Sequence, residues 1–369
     1  MKYYIIAGEA SGDLHGSNLI KQLTIHDPNN NIRCWGGNLM EAAGGKLVKH
    51  YRDLAFMGFA EVIKNLPTIL SNLRFCKSDI LQYKPDVLIL IDYPGFNLRI
   101  AEWAKQQGIK VVYYIAPQVW AWKANRVKKM KQNIDLMLCI LPFEKTYFKS
   151  VWNWEVSYVG HPLIEVIEDF KNTHQLSKKP IIALLPGSRK QEIAKKLPIM
   201  LSVASYFPDY EFVIAQAPGQ DAEFYTPFLT GQRNVKIVKD STYNLLIESS
   251  AALVTSGTAT LETALFGVPE VVCYKGSSVS YAIAKRLVKI KFISLVNLIM
   301  DKEIVKELIQ DALTTENLKK ALNQLLTDSQ HLAHLNAAYA DLYQRLAAGG
   351  HASENAAKEI MAFLNQSAT

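Results

Sequence analysis

The sequence has few cysteines and no long apolar run. Its four cysteines, Cys34, Cys76, Cys139 and Cys273, are widely spaced and include no CxxC pair, so they predict neither a zinc site nor a disulfide framework. No apolar run approaches the roughly 20 residues of a membrane-spanning helix. The apolar start of the chain reaches a carboxylate at Glu9, which leaves it too short for a secretory signal peptide. We therefore expect free thiols and a cytoplasmic protein.

Two familiar nucleotide-binding signatures are also missing. The chain has no Walker A pattern, GxxxxGK[ST], and its first glycine-rich loop lacks the GxGxxG spacing of dinucleotide-binding folds. What is present is an ordinary globular composition, 49% hydrophobic and 20% charged, in 369 residues. That length predicts two domains, or three. A net charge of +7 suits a phosphate-bearing ligand, an anionic membrane surface or nucleic acid, without choosing among them.

Short apolar runs alternate with helical patterns along most of the chain. Because these runs are apolar on both faces, they are typical of parallel strands covered by helices, and the alternation predicts doubly wound α/β sheets. Helical patterns dominate from about 302 onward, with a break at Gly349 and Gly350 before a last helix at about 352–366. The predicted strands are 2–7, 86–92, 110–115, 135–140, 156–160, 180–185, 210–216, 234–239, 251–256 and 269–274.

A polar stretch near 165–179, ending at Pro180, predicts a domain boundary. We expect one Rossmann-like domain over 1–170, joined by the last helix at about 350–369, and a second over 171–349. Two such halves facing a cleft suit an enzyme with a nucleotide in one half and an acceptor in the other. The same architecture also occurs in binding proteins, so the fold alone decides nothing about chemistry.

Two loops in the second half carry phosphate-binding features. In PGSRKQE (186–192), Gly187 and Ser188 precede a helix whose N-terminus favours an anion, and Arg189 adds a bidentate donor. The alternative is a plain helix start capped by Ser188. In SGTATLE (256–262), small residues again lead into a helix, and Glu262 could accept hydrogen bonds from a ribose diol; a capping box is the alternative. The residues of this second loop are Ser256, Gly257, Thr258 and Glu262.

Two loops in the first half carry groups for acid–base chemistry. The loop GEASGDLHG (8–16) contains Glu9, Asp13 and His15, although Ser11 and Asp13 could simply cap the following helix. Asp92 ends an apolar strand, where catalytic groups of open α/β sheets cluster, and the turn that follows would hold its carboxylate. A turn-capping aspartate is the alternative.

Basic and apolar segments suggest a charged or membranous surface. Residues 113–131 combine tryptophans with cations, and 54–70 is apolar with one possible helix face. The basic segment suits nucleic acid, a phosphorylated lipid or a membrane surface, with a solvated helix face as the simpler alternative. The apolar segment suits acyl chains or a membrane, with an ordinary core helix as the simpler alternative. The cations are Lys123, Arg126, Lys128, Lys129 and Lys131, with a second set at Lys285, Arg286, Lys289 and Lys291; the apolar face is Phe56, Phe59, Ile63 and Leu66.

Taken together, the motifs resemble those of the lipid-A-disaccharide synthase family. They follow the family's order and span nearly the whole chain. One departure is Val296, where the family usually has proline; Asn297 beside it is retained. The motifs are GEASGD (8–13), AFMGFAEV (55–62), DYPGFN (92–97), APQVWAW (116–122), LPFE (141–144), YVGHPL (158–163), LLPGSR followed by EI (184–193), SGTATLE (256–262) and ELIQ (307–310).

This resemblance implies a GT-B fold and an inverting hexosyl transfer. Donor and acceptor would be UDP-2,3-diacylglucosamine and 2,3-diacylglucosamine 1-phosphate (lipid X), and the products the β-1,6-linked lipid A disaccharide 1-phosphate and UDP. Asp92 would be the base, Arg189 would stabilise the leaving diphosphate, and Asn297 would complete the nucleotide site. Glu9, Asp13 and His15 would line the acceptor side.

The resemblance also sets expectations for cofactors and partners. Without a DxD-like pair in a suitable loop we expect no metal and no other cofactor. We expect a peripheral protein on the cytoplasmic face of the inner membrane, no nucleic-acid partner, and a possible homodimer. Two rivals remain: another GT-B enzyme, such as a UDP-N-acetylglucosamine 2-epimerase or a transferase acting on a cell-wall lipid, and a non-enzymatic nucleic-acid or membrane-binding protein.

Overall fold

The computed structural model describes residues 1–53, 66–121, 123–175, 177–277 and 291–366. The chain forms two compact units. The first comprises Met1–Pro162 and Leu346–Thr369, and the second comprises Leu163–Arg345. The second unit is therefore inserted between two segments of the first.

The first unit is built on a seven-stranded parallel sheet in the order β3-β2-β1-β4-β5-β6-β7. Its strands are β1 (Lys2–Ala7), β2 (Asn31–Gly36), β3 (Lys46–His50), β4 (Val87–Ile91), β5 (Val111–Tyr114), β6 (Leu136–Cys139) and β7 (Ser157–Tyr158). Its helices before the insertion are α1 (Ala10–His26), α2 (Asn38–Ala42), α3 (Leu66–Tyr83), α4 (Pro94–Gln106), α5 (Arg126–Asn133) and α6 (Pro142–Trp152), with a 3-10 turn at Tyr51–Asp53.

The second unit has a six-stranded parallel sheet in the order β10-β9-β8-β11-β12-β13. Helix α7 (Pro162–Thr173) leads into it from the first unit. Its strands are β8 (Lys179–Leu185), β9 (Glu211–Ala215), β10 (Val235–Val238), β11 (Ser249–Thr255), β12 (Glu270–Tyr274) and β13 (Lys306–Ile309). Its helices are α8 (Lys190–Leu201), α9 (Thr226–Leu229), α10 (Thr242–Glu248), α11 (Thr258–Leu265), α12 (Leu295–Met300), α13 (Thr315–Thr327) and α14 (Ser329–Ala347), with 3-10 turns at Ala204–Tyr206, Ala222–Phe224 and Gln310–Ala312.

The last helix, α15 (Ala352–Gln366), returns the chain to the first unit. It packs with α1 over one face of the first sheet, where Ala356 and Ile360 join a buried cluster with Ile5 and Leu19. The break before it, predicted from two glycines, is confirmed, because α14 ends at Ala347. The backbones meet closely at this return: a Cβ on Gly160 would lie 2.5 Å from the carbonyl oxygen of Gly350.

The ten predicted strands are all present, and three further strands were missed. The centre of the first sheet is easy to predict because all five residues of β4, VLILI, are buried. The missed strands β2, β3 and β13 carry polar residues; β3 is an edge strand, KLVKH, with no fully buried residue. Strand β13 also interrupts the region from about 302 that was predicted to be helical.

Each sheet reverses its strand order once, and the loops of interest lie there. In the first unit β1 pairs with both β2 and β4, and in the second β8 pairs with both β9 and β11. Ligands of open α/β sheets bind beyond the carboxyl ends of the strands at this switch point. The loops after Ala7 and Ile91, and those after Leu185 and Thr255, all start there.

One buried carboxyl lies at the opposite end of the second sheet. Glu270, the first residue of β12, is 1% exposed and lines a cavity of about 250 Å³ with His331 and Leu335 of α14. Neither of its carboxyl oxygens has a hydrogen-bond partner in the described part of the chain. Burial raises the pKa of Glu270 well above its ordinary value, and the nearby Glu307 raises it further.

Candidate active site

The loops at the switch point of the second unit enclose a cavity of about 610 Å³. Seven of the eight residues predicted to bind the nucleotide line it. They are Gly187, Ser188, Arg189, Ser256, Gly257, Thr258 and Glu262. Sequence reasoning had placed these residues in two separate motifs, and the pairing of β8 with β11 brings the motifs side by side.

The first of these loops needs a glycine for its conformation. Gly187 has φ +113°, a left-handed value that side chains disfavour. Helix α8 follows, with Arg189 rather than Ser188 as its N-cap residue, so the alternative interpretation of Ser188 as the helix cap is wrong. The guanidinium of Arg189 is more than half exposed and lies 3.4 Å from Glu192 Oε1. An exposed guanidinium at a helix N-terminus is suited to an anionic ligand.

A second cation lies beneath the same loop. Lys196 is 2% exposed, and its ammonium donates to the hydroxyl of Thr255 and lies 3.7 Å from Glu192 Oε2. Burial lowers the pKa of this lysine, and Glu192 opposes that effect. The ammonium also approaches Gly187, where a Cβ would lie 3.4 Å from it. The positive charge therefore sits directly below the wall of the cavity.

The second loop offers open backbone and one buried carboxyl. Gly257 is the N-cap residue of α11 with φ +142°, and open space surrounds the position of its missing side chain. Because Gly257 caps the helix, Glu262 is beyond the third helical position and forms no capping box. Its Oε1 accepts a hydrogen bond of 3.4 Å from the hydroxyl of Tyr243. Burial raises the pKa of Glu262, and the Tyr243 hydroxyl opposes this.

Asn297, the eighth predicted nucleotide ligand, has structural contacts in place of the expected one. It is fully buried in α12 and does not line the cavity. Its amide nitrogen donates to the carbonyl of Val305 and to Glu307, while its oxygen accepts from the backbone N–H groups of Ile304 and Val305. Asn297 thus ties α12 to the start of β13. Val296 beside it is fully buried within the same helix.

In the first unit, Asp92 is held in an unusual backbone conformation. Asp92 and Tyr93 both have left-handed φ values, 44° and 49°, which non-glycine residues adopt at a cost. Partly buried hydrogen bonds stabilise the turn: the carbonyl oxygen of Asp92 accepts from Asn97 Nδ2 at 2.8 Å and from the Tyr113 hydroxyl at 2.5 Å. The close approach of the Tyr93 ring to Gly8, where a Cβ would lie 2.3 Å from it, packs this turn on the first loop.

The carboxyl of Asp92 belongs to a group of three interacting acids. Burial, with a smaller contribution from Glu9, raises the pKa of Asp92 to about 6, although the backbone N–H of Tyr93 opposes the rise. Burial, with a smaller contribution from Asp92, raises the pKa of Glu144 to about 7, although the hydrogen bonds that Glu144 accepts oppose the rise. Asp92 and Glu144 can therefore exchange protons near neutral pH, as a general base must.

Glu144 is a residue that sequence reasoning missed. Its Oε2 accepts from the backbone N–H groups of Ile140 and Leu141, at 3.3 and 3.0 Å, and its Oε1 accepts from Trp120 Nε1 at 3.0 Å. It caps α6 and fixes the tryptophan of the APQVWAW loop. The signal was present in LPFE, because proline at the first helical position and glutamate at the third mark a helix start.

Asp13 has a structural role in place of the acid–base role that was predicted. It is 4% exposed, and its carboxylate accepts from the backbone N–H groups of Gly37, Leu39 and Met40 at 2.7 to 3.2 Å. It therefore caps the N-terminus of α2. The predicted alternative was also wrong, since Asp13 lies inside α1, which begins at Ala10, and caps a different helix.

His15 lies next to a second histidine. Burial lowers the pKa of His15 to about 4, so its imidazole is neutral near neutral pH. Its Nδ1 is buried and makes no hydrogen bond within the described part of the chain. His161, of the YVGHPL motif, is 3% exposed, and burial together with His15 lowers its pKa to about 3.

Several predicted surface features fall outside the described residues. These include most of the apolar segment 54–70 and three of the second cationic set, Lys285, Arg286 and Lys289. Among the described residues no group of three or more histidine, cysteine, aspartate or glutamate side chains is arranged to hold a metal ion. No described helix combines the length and apolar character needed to cross a membrane. All four cysteines are buried as free thiols.

Solved structures similar to this chain share its fold at low sequence identity. A UDP-GlcNAc 2-epimerase from Neisseria meningitidis, bound to UDP-GlcNAc, matches with a TM-score of 0.65 at 17% identity, over 99% of this chain and 100% of that one. MnaA of S. aureus, solved with UDP, matches at 0.69 and 15%, over 99% and 97%. The calicheamicin glycosyltransferase CalG4 matches at 0.63 and 16%, over 100% and 99%. These likenesses and the two parallel sheets show the two-domain α/β GT-B fold.

Sequence relatives are closer. The lipid-A-disaccharide synthase of Trichlorobacter lovleyi is 36% identical over 98% of this chain and 97% of its own length. That of Coxiella burnetii is 34% identical over 96% of each. The family model described as lipid-A-disaccharide synthetase matches residues 3–362. The chain therefore belongs to the lipid-A-disaccharide synthase family.

Proposed function

We propose that this enzyme forms the β-1,6-linked lipid A disaccharide 1-phosphate. The donor is UDP-2,3-diacylglucosamine, the acceptor is 2,3-diacylglucosamine 1-phosphate (lipid X), and UDP is released. Membership of the family supports lipid A disaccharide synthesis by glycosyl transfer. The substrates, the metal-independent inverting mechanism and the role of Asp92 are proposals. The observation that supports the mechanism most is the environment of Asp92, which raises its pKa toward neutrality.

The second unit is the proposed site of the UDP-sugar. Its cavity joins a helix N-terminus at Arg189 with the open backbone around Gly257, two arrangements that favour phosphate oxygens. Arg189 would stabilise the charge that develops on the departing diphosphate, with the buried ammonium of Lys196 behind it. Glu262, held by Tyr243, would accept hydrogen bonds from the ribose.

The first unit is the proposed site of the acceptor and the base. In an inverting transfer the acceptor hydroxyl attacks the anomeric carbon from the face opposite the leaving group, so one displacement breaks the bond to UDP and forms the new glycosidic bond. Asp92 would accept the hydroxyl proton and later release it to solvent. Its pKa of about 6 leaves it mostly ionised at neutral pH yet basic enough for this task.

An anionic membrane surface is the proposed location of the reaction. Helix α3 carries an exposed face on which Leu70 and Leu81, 43% and 48% exposed, flank Arg74 at helical spacing. Apolar side chains beside cations suit the interface of an anionic bilayer. This face continues the chain from the apolar 54–70 segment, which the sequence analysis assigned to acyl chains or the inner leaflet.

The test is UDP release from the purified enzyme with its donor, with and without lipid X. We expect release to require lipid X, and we expect Asp92→Asn to lower turnover by about 10²–10⁴ while UDP affinity stays unchanged. Asp53→Asn, which changes an exposed aspartate of the same unit, is the control. Near-normal turnover of Asp92→Asn would remove Asp92 as the base, and Glu9→Gln and His15→Gln would then be assayed in the same way.

The rival activity has a distinct outcome in the same assay. If the enzyme converts UDP-N-acetylglucosamine to its 2-epimer and ignores acylated sugars, the fold has been adapted to epimerisation. The fold neighbours include such epimerases, at 13–17% identity.

A further inference from the structure

A groove between two helices of the first unit has no role in the chemistry described so far. It lies between α4 (Pro94–Gln106) and α5 (Arg126–Asn133) and has a volume of about 230 Å³. Its floor is apolar, formed by the buried side chains of Ala101, Met130 and Ile134. Its charged lining residues are Arg99, Glu102, Arg126 and Lys129.

The charge of this groove is positive. The ammonium of Lys129 lies 3.2 Å from Glu102 Oε1, so the single carboxylate is matched by a lysine. The remaining charged lining residues are two arginines. Arg126 is the first residue of α5, and the partial positive charge of that helix end adds to its own. Guanidinium groups bind phosphate through two parallel hydrogen bonds, and a water-poor floor strengthens such a pair.

The groove begins close to the proposed base. Pro94 and Gly95 form part of its lining and follow Asp92 by two and three residues. At about 3.5 Å per residue, its wall starts within roughly 7 Å of Asp92 along the chain. Tyr113 provides a second connection, because its hydroxyl donates to the carbonyl oxygen of Asp92 and its pKa responds to both Asp92 and Arg126.

We propose that this groove is the subsite for a phosphomonoester on the acceptor, with Arg126 as its main ligand and Arg99 at its rim. The proposal rests on the proposed function, in which the acceptor presents a hydroxyl to Asp92. In a hexose 1-phosphate, C1 carries the phosphate and C5 carries the CH2OH group with the 6-hydroxyl, and both carbons are bonded to the ring oxygen. The two groups that Asp92 and Arg126 would contact therefore lie at the same edge of the sugar, a few bonds apart. The groove would select a phosphorylated acceptor and fix its orientation.

The experiment compares two acceptors and three variants. Steady-state kinetics are measured with lipid X and with the same diacylglucosamine lacking its phosphate, for the wild type, Arg126→Ala, Arg126→Lys and Lys128→Ala. Lys128 is exposed on the same helix and is not part of the groove lining, so Lys128→Ala is the matched control. Thermal melts establish that each variant is folded.

We expect Arg126→Ala to raise the KM for lipid X by about 10- to 100-fold, as the loss of a charge-assisted pair should. The donor KM and the kinetics with the dephosphorylated acceptor should stay within about twofold of the wild type. Arg126→Lys should recover only part of the loss. Lys128→Ala should show the kinetics of the wild type. Equal losses with both acceptors, or the same loss in Lys128→Ala, would overturn the subsite.

A binding measurement separates this proposal from the proposed function. Glucosamine 1-phosphate is titrated calorimetrically into the wild type, Arg126→Ala and Lys128→Ala. Binding that requires Arg126 supports the subsite even if the enzyme forms no disaccharide. Equal binding by wild type and Arg126→Ala, or no binding by any of them, contradicts it even if disaccharide synthesis is observed.

Discussion

Asp92 combines a costly backbone conformation with an acid that titrates near neutral pH. The left-handed turn places its carboxyl after a buried strand, and the ring of Tyr93, the next residue, packs on Gly8. Glu9, which follows the adjacent strand β1, acts on it through space. The basicity of Asp92 is thus set by two loops that meet only because β1 and β4 are neighbours.

This coupling predicts the pH dependence of the reaction. Asp92, as the proposed base, would act in its ionised form, so kcat/KM should fall as the pH drops through about 6, its pKa. Glu9→Gln removes a negative charge that raises this pKa, so the acid limb of the profile should move to lower pH. The pH profile of kcat/KM with saturating donor checks this. An unmoved limb in Glu9→Gln, or an equal shift in the control Asp53→Asn, would contradict the assignment.

Glu270 predicts a second, unrelated pH effect, on stability. Its pKa in the folded state is raised above the ordinary 4.5, so folding is favoured while the group is protonated. The contribution of protonated Glu270 to stability is fully present below about pH 4.5 and declines as the pH rises toward the folded-state pKa, because the group ionises first in the unfolded chain. Glu270→Gln should lack this decline. The free energy of unfolding of Glu270→Leu should exceed that of the wild type by about 1–3 kcal/mol at about pH 8.

Urea unfolding of the three proteins between about pH 5 and pH 8 measures the effect. The control is Glu303→Gln, an exposed carboxylate lining the same cavity. If wild type and Glu270→Gln lose stability in parallel over this range, then Glu270 is not the group responsible.

Single residues also show how far the sequence could predict the candidate site. The loops around Gly187 and Gly257, which we predict to bind phosphate, line one cavity, and glycine with a following helix signals their backbone shape directly in the sequence. Asp13 and Asn297 make structural hydrogen bonds that the sequence did not reveal: the partners of Asp13 lie 24 to 27 residues away, and those of Asn297 lie 7 to 10 residues away. Polar side chains give no sign in the sequence of whether such partners exist.

At the scale of elements, strands were predictable where burial is uniform. The central strands β4 and β8 are nearly continuous apolar runs, whereas the edge strand β3, KLVKH, mixes basic and apolar residues and pairs with β2 alone. The amphipathic pattern of α3 gives the helix a buried face and leaves the opposite face exposed.

That exposed face of α3 predicts membrane binding. Leu70→Ser combined with Leu81→Ser should lower binding to vesicles containing phosphatidylglycerol by about tenfold, because two partly exposed leucines lose their apolar contact with lipid. The fold should survive, since both side chains already face solvent. Vesicle sedimentation measures the bound fraction. Val151→Ser, at an exposed apolar position on α6, is the control. Wild-type binding by the double variant Leu70→Ser, Leu81→Ser would exclude this face of α3.

For the molecule as a whole, the fold class could be predicted because each half repeats one pattern of strand, loop and helix. The strand orders of the two sheets agree over their first six strands, with the switch between the first and fourth strand of each. The sequence halves share no repeat, so the likeness lies in the alternation itself. Family membership, shown by relatives at 34–36% identity over nearly the whole chain, then assigns that architecture to glycosyl transfer in lipid A biosynthesis.

The insertion of the second unit within the first has a consequence for biosynthesis. The ribosome completes the seven strands of the first sheet, and then all of the second unit, before it makes α15. Until that helix emerges, Ile5 and Leu19 lack the packing of Ala356 and Ile360. This apolar face of the first sheet is therefore incompletely covered, and open to aggregation, while the 183 residues of the second unit are added. The second unit, continuous in the chain, can finish folding first, whereas the first unit completes its core only after α15 has been made.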